Sequence, residues 1–324
     1  MSQHQPTRPE APILDPVIQK MLDELTAEGG PPVYSMTPKE ARDTLVRIQS
    51  RSVPGPESRI RDLSVEFAGH ALRLRIVYPP KVAGLFPVVT YFHGGGWVMG
   101  DAATHDRLVR ELAVGADAAV VFLDYDRAPE HRYPIAIEQA YAATLYVAEH
   151  AHALNVDAVR LAVAGDSAGG NLATALCLVA NERRGPRISG QLLFYPVTNA
   201  NFESGSYQQF GNGPWLTRTA MQWFWDQYLP DHNRREEATA SPLLASKEQL
   251  AGSPRTLIIT SENDVLRDEG EEYGRRLLSA GVEVVTTRYN GTIHDFATLN
   301  PIAGAAPTRA AVAQAIHFLK SVLL

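Results

Sequence analysis

Residues 163–171 read VAGDSAGGN. Ser167 stands between Gly165 and Gly169, directly after the apolar run RLAVAG and directly before NLATALCLVA, whose apolar spacing predicts a helix. A strand that turns into a helix through such small residues has two readings. It is either a tight structural turn or a corner that lifts one hydroxyl clear of its surroundings as a nucleophile. The nine residues do not choose between them, so the choice rests on what the rest of the chain supplies.

A serine nucleophile needs a base, a carboxylate to orient that base, and donors for the oxyanion. After the apolar run PVVTYF comes HGGGWVMG, residues 93–100. Consecutive glycines there let backbone N–H groups approach a reacting oxygen, although a plain glycine-rich turn would read the same. After TLIITS comes ENDVLRDEG, and after VEVVTTRY comes NGTIHDF, which places Asp264 and His294 in loops at the carboxyl ends of successive strands. That edge is where open α/β sheets build their sites. Asp268 is the rival acid, but it reads as the start of a helix, where a carboxylate suits the positive end of the dipole. Among the histidines, His317 lies in a helical pattern and His93 belongs to the glycine motif, which leaves His294. The chain order Ser167, Asp264, His294 is the triad order of α/β hydrolases.

The surroundings agree with that fold class. Apolar runs alternate with helix-length segments from residue 86 onward, which predicts a mostly parallel sheet of about eight strands with helices on both faces. The first two strands, DLSVEFAG and ALRLRIVYPP, alternate apolar with polar and predict an antiparallel pair around Gly69 and His70. Ahead of them, DPVIQKMLDELTAEGG and TPKEARDTLVRIQS predict two helices. Thr37, Pro38 and Glu40 give the second a capping box. SVPGPES then reads as a linker. About sixty residues separate LLFYPVTN from TLIITS, too many for a simple crossover, and they include the predicted helix TRTAMQWFWDQYL.

Bulk properties exclude several classes. With 324 residues, 45% of them hydrophobic, the chain can bury one large core. A net charge of -6 without clustered Lys and Arg argues against nucleic acid. No stretch is long and apolar enough for a membrane span, and MSQHQPTRPEAP does not read as a secretion signal. The single cysteine, Cys177, sits in an apolar helix pattern and reads as a packed thiol; its solitude fits a reducing, cytoplasmic setting. The histidines are scattered, and His150 and His152 would not share a helix face, so no metal site is expected.

The segments HGGGWVMGDAATHDRLVRELA, LDYDRAPEHRYPIAIEQA, GDSAGGNLA, LLFYPVTN and ENDVLRDEGEEYGRRL together resemble the hormone-sensitive-lipase-like, or family IV, bacterial carboxylesterases of the α/β-hydrolase superfamily. The resemblance runs from about residue 60 to the end. It implies a serine carboxylesterase for short-to-medium acyl esters, without cofactor or metal, in which Ser167 attacks, His294 carries the proton and Asp264 holds the imidazole. It also implies an oxyanion hole from the amides of Gly95, Gly96 and Ala168, and a bracing role for His93.

The resemblance implies a helical cap as well, built from residues 1–55 and completed by an insertion at about 200–240 over a catalytic domain spanning 56–324. Relatives often dimerise through an edge strand, which leaves a homodimer open. Trp97 is placed to wall the pocket, and Trp215, Trp223, Phe224 and Trp225 either line it or pack in the core. The chain departs from the family pattern at Val265, where proline is usual, at Asp295, where glycine is usual, and at Asp126-Arg127, where arginine and leucine are usual. An amidase or deacetylase with the same triad, and a non-catalytic receptor on the same fold, remain as alternative functions.

Overall fold

The structure, a computed structural model, describes residues 12–51, 53, 55–80 and 84–323. Most of the N-terminal stretch read for a secretion signal, and Ser52 and Pro54 of the predicted linker, lie outside the described residues. Helices α1 (Pro16–Glu28) and α2 (Pro38–Gln49) come first. The capping box of α2 forms: the Glu40 amide donates to Thr37 Oγ1, and the Thr37 amide donates to Glu40 Oε2. Strands β1 (Arg59–Phe67) and β2 (His70–Tyr78) make the antiparallel pair. They turn at Ala68 and Gly69, both with positive φ, which matches the right-handed twist of the flanking strands.

The alternating part follows as β3 (Phe86–Phe92), α3 (Asp106–Ala116), β4 (Ala119–Leu123), α4 (Ile135–Glu149), β5 (Val156–Asp166), α5 (Ala168–Glu182) and β6 (Gly190–Phe194). Two short helices, α6 (Gly205–Phe210) and α7 (Arg218–Tyr228), and a one-turn α8 (Lys247–Leu250) fill the long connection. Then come β7 (Arg255–Asn263), α9 (Arg267–Ser279), β8 (Val284–Ile293) and α10 (Ala306–Leu323). The eight strands form one sheet in the order β1-β2-β4-β3-β5-β6-β7-β8. From β3 to β8 all pairings are parallel, and β2 alone runs against its neighbours.

Alternation along each strand divides the core between two faces. On β3, Val89 and Tyr91 join Leu108 and Leu112 of α3 and Ala311 and Leu319 of α10. Val88 and Phe92 join Ile137 of α4, Leu172 and Leu176 of α5, and Leu277 of α9 on the other side. Because both faces are covered, β3, β4 and β6 are buried along their whole length. Helix α5 is buried from Ala168 to Ala180, and its small residues let it lie close to the sheet. A Cβ at Gly169 would fall 1.9 Å from the Phe92 carbonyl oxygen, so Gly169→Ala would push α5 off β3.

Candidate active site

Strand β5 meets helix α5 at Ser167, whose backbone has φ 53 and ψ -119. A residue with a side chain is strained there, by about 1–3 kcal/mol, and such strain persists only where the surroundings impose it. The flanking glycines permit it: a Cβ at Gly165 would lie 2.2 Å from the Gly169 carbonyl oxygen, so only glycine lets the chain fold back so sharply. The Ser167 amide donates to the Phe194 carbonyl of β6, and the Ser167 carbonyl accepts from the amides of Asn171 and Val197. With its backbone fixed on three sides, Ser167 turns its side chain toward a cavity above the sheet edge.

Asp264 follows the last residue of β7, and His294 follows the last residue of β8. The sequence reading set His294 farther out in a loop; strand pairing runs on through NGTI, as Asn263 pairs with Ile293. His294 Nε2 lies 2.8 Å from Ser167 Oγ, and His294 Nδ1 lies 2.7 Å from Asp264 Oδ2. The second Asp264 oxygen accepts from the Leu266 amide, which fixes the carboxylate. All three side chains are buried. Burial alone would push the His294 imidazole down, but Asp264 and Asp295 outweigh it and carry the pKa up to about 9.

Asp268 points elsewhere. It accepts from the Ser206 amide and from Arg267 in the first turn of α9.

Gly95 and Gly96, both with positive φ, line the same cavity as Ser167 and His294. A Cβ at Gly96 would collide with the Phe224 ring, so only glycine brings backbone that close to this wall. Ala168 is buried and opens α5, where a helix amide has no carbonyl of its own helix to bond. Gly95 and Gly96 thus share the cavity with Ser167, and Ala168 is the next residue along the chain from it.

His93 stacks on Tyr125 at 4.1 Å and on Phe122 at 5.3 Å, and burial, with His105 nearby, pushes its pKa down to about 3. It is therefore neutral and packed. Trp97, expected to wall the pocket, does not line it: its ring stacks on Tyr228 at 4.2 Å and meets Trp225 edge-on, because positive φ at residue 97 turns it into the core. Of the other aromatics, Trp215 and Phe224 line the cavity, while Trp225 is buried in the core.

The cavity has a volume of about 270 Å³. Its outer wall comes from Pro31, Val33, Met36, Leu45 and Ile48 of the N-terminal segment and from Met221 of α7. The first part of that wall had little signal in the chain, since EGGPPVYSM has no periodicity to read.

Two further residues escaped the sequence reading. Asp166 accepts from Tyr91 Oη at 2.7 Å and from the Gly94 amide at 3.1 Å, tying the glycine loop to the elbow, with His105 Nε2 at 3.4 Å from its other oxygen. Gln49, buried at the end of α2, donates to the carbonyls of Thr104 and Thr298 and accepts from the Asn300 amide. It thus joins α2 to the segments after the glycine loop and after His294. Asp166 was visible inside the elbow motif; Gln49 carried no local signal at all.

The departures at Asp126 and Arg127 stay outside the cavity. Asp126 accepts from Arg73 and Gln139, and Arg127 donates to the Gly100 carbonyl. Val265 is buried, and its carbonyl accepts from Ser206 of α6. Asp295 matters more. It lines the cavity at φ 64, a left-handed conformation that explains why glycine is usual there. One oxygen accepts from Trp215 Nε1 at 2.9 Å, and the other lies 3.4 Å from His294 Nε2. Among the described residues, no cluster of His, Cys, Asp and Glu is arranged to hold a metal, and no helix is long and apolar enough to cross a membrane.

Comparison with known proteins agrees with this geometry. Residues 89–298, more than half of the chain, match the family described as having the alpha/beta hydrolase fold. A thermostable esterase from Pseudomonas putida has a crystal structure that superposes with a TM-score of 0.95 at 47% identity, over 97% of this chain and 99% of that one. The carboxylesterase NlhH of Mycobacterium tuberculosis is 37% identical over 94% of this chain and 97% of its own. An ethyl acetate hydrolase of Pseudomonas putida is 38% identical over 75% of this chain and 77% of its own. The chain belongs to the α/β-hydrolase family, in its hormone-sensitive-lipase-like branch.

Proposed function

We propose that the chain is a serine carboxylester hydrolase with Ser167, His294 and Asp264 as its catalytic triad. The observation that carries this reading is the continuous relay from Ser167 Oγ through both ring nitrogens of His294 to Asp264, opening on an apolar cavity. Neutral His294 takes the Ser167 proton as Oγ attacks the acyl carbon. The oxyanion is held by the amides of Gly95, Gly96 and Ala168. The proton then passes to the departing alcohol, and a water molecule, deprotonated by the same imidazole, releases the acid. Asp264 keeps the ring in one tautomer and stabilises the imidazolium.

Residues 1–55 and the insertion at about 200–240 act as a cap in this reading. Support comes from the walls they give the cavity: the helix α2 region on one side and Trp215 to Phe224 on the other. A cavity closed this way favours short acyl chains, about two to eight carbons, because each methylene gains about 0.8 kcal/mol only while apolar wall remains to cover it. The similarity to an ethyl acetate hydrolase points the same way. The test is the rate over p-nitrophenyl esters of increasing acyl length, with a maximum expected among the short chains. Faster hydrolysis of long-chain triglyceride emulsions than of butyrate esters would overturn the size reading, and no turnover of any ester would overturn the function.

A further inference from the structure

We infer that the same site hydrolyses secondary amides, with the Asp295 carboxylate accepting a hydrogen bond from the N–H of the departing nitrogen. This rests on the roles proposed above for Ser167 and His294. The histidine and carboxylate side chains that line the cavity are His105, Asp166, His294 and Asp295. Asp166 is engaged with Tyr91, the Gly94 amide and His105, and His294 serves the serine. Asp295 is the one whose second oxygen faces the place where a leaving group must sit.

The geometry defines that place. Any atom that takes a proton from His294 Nε2 must come within hydrogen-bond distance of it, on the side where Ser167 Oγ now lies at 2.8 Å. Asp295 Oδ1 is 3.4 Å from the same Nε2, and Trp215 Nε1 holds the other oxygen. The acceptor is therefore fixed beside the leaving atom. Both residues of this pair hold positive φ, 64 at Asp295 and 68 at Trp215, and two strained non-glycine residues meeting at a reacting centre point to a retained function.

An ester and an amide need different things here. The leaving oxygen of an ester carries no hydrogen. The amide nitrogen carries one, and in the tetrahedral intermediate its lone pair must turn toward the imidazolium to be protonated. Its N–H then turns away, and beside the mostly apolar walls of this cavity an N–H without a fixed acceptor raises the barrier. Asp295 Oδ1 supplies the partner.

The steps balance without another reactant. The Ser167 Oγ–carbon bond forms as the Oγ proton moves to His294 Nε2. The carbon–nitrogen bond then breaks as Nε2 returns that proton to nitrogen, releasing a neutral amine. Water, deprotonated by His294, cleaves the acyl-enzyme to the carboxylic acid and restores the Ser167 hydroxyl.

The decisive variant is Asp295→Asn. Trp215 Nε1–H demands an oxygen, so the asparagine carbonyl stays with Trp215 and the amide NH₂ replaces Oδ1, turning acceptor into donor at nearly the same shape. The experiment measures kcat/KM for p-nitrophenyl butyrate, butyryl p-nitroanilide and its N-methyl analogue, each on the pH-independent plateau so that the ionisation of His294 cancels. The anilide rate should fall at least about tenfold more than the ester rate, the loss expected for one hydrogen bond to a charged acceptor, while the N-methyl anilide, with no N–H to offer, follows the ester. Asp295→Gly, whose backbone suits the left-handed conformation, should give the same ordering and guards against misfolding of the first variant. Equal losses on ester and anilide, or a wild-type protein that cleaves the ester but not the anilide, would overturn the inference. A wild-type protein that cleaves neither would instead overturn the proposed function.

Discussion

Replacing Asp295 with glycine should move the acidic limb of kcat/KM to lower pH. His294 accepts the Ser167 proton only when neutral, so the limb reports its pKa in the free enzyme. Burial opposes the charged ring, yet Asp264 and Asp295 together carry that pKa up to about 9. The Asp295 oxygen lies 3.4 Å from Nε2, and its side chain is 24% exposed. At that separation a unit charge contributes about 1 kcal/mol in a water-like dielectric and about 5 kcal/mol at an effective value near 20. Partial exposure favours the lower part of this range, so the limb should move down by about one to two pH units.

Asp264 and Asp166 still act on the ring in the variant, so the limb should not fall far below the ordinary imidazole range. Burial pushes the Asp295 carboxyl up, against the pull of His294 and Trp215, and its influence on His294 is felt once it is ionised. Glycine relieves the strain at φ 64 and loses the Trp215 hydrogen bond, two effects of about 1 kcal/mol that oppose each other. The assay is pH-stat titration of butyrate ester turnover for both proteins, repeated in high salt, where the separation should narrow. An unchanged limb, or one moved to higher pH, would refute the electrostatic reasoning.

Two further changes probe the framework. Glu269 is buried, accepts from the amides of Thr198 and Asn199, and leaves its second oxygen without a partner among the described residues; burial pushes its pKa from 4.5 up to about 8. The folded state thus holds this proton more tightly than the unfolded chain does, so its stabilising contribution is full below pH 4.5 and is lost as pH rises through about 8. That loss is on the order of 5 kcal/mol. Glu269→Gln should flatten the fall of Tm across this window, and a variant with the wild-type slope would contradict the assignment. Gln49→Ala leaves the Thr104 and Thr298 carbonyls and the Asn300 amide without their buried partner, at about 1 kcal/mol or more each. It should lower Tm and, well below the transition, lower kcat more than it raises KM. A change confined to KM would mean that Gln49 only walls the pocket.

Much of this fold could be read from the chain because its signals are local. The sheet came from apolar runs alternating with helices, the Thr37 capping box from three residues, and the elbow from glycines whose replacement would strike Phe92 or the neighbouring turn. Ser167, Asp264 and His294 were legible because each sits at a strand end, where the order of elements along the chain dictates position. Trp97 was misplaced because the direction of one ring depends on a positive φ that no pattern encodes. Gln49 was invisible for a similar reason: its partners are Thr104, Thr298 and Asn300, brought to it only by tertiary packing. The Asp295 departure was visible, but its tether to Trp215 spans two segments whose meeting the sequence does not record.

The most direct test is the turnover of Ser167→Ala on p-nitrophenyl butyrate, with circular dichroism and Tm measured on the same preparation. The hydroxyl that lies 2.8 Å from His294 Nε2 is removed, and the two flanking glycines keep the elbow. The variant should be folded and should lose a factor on the order of a thousand or more in kcat, the scale of loss that follows removal of a nucleophile. A folded variant that keeps more than about a tenth of the wild-type activity would contradict the assignment of Ser167.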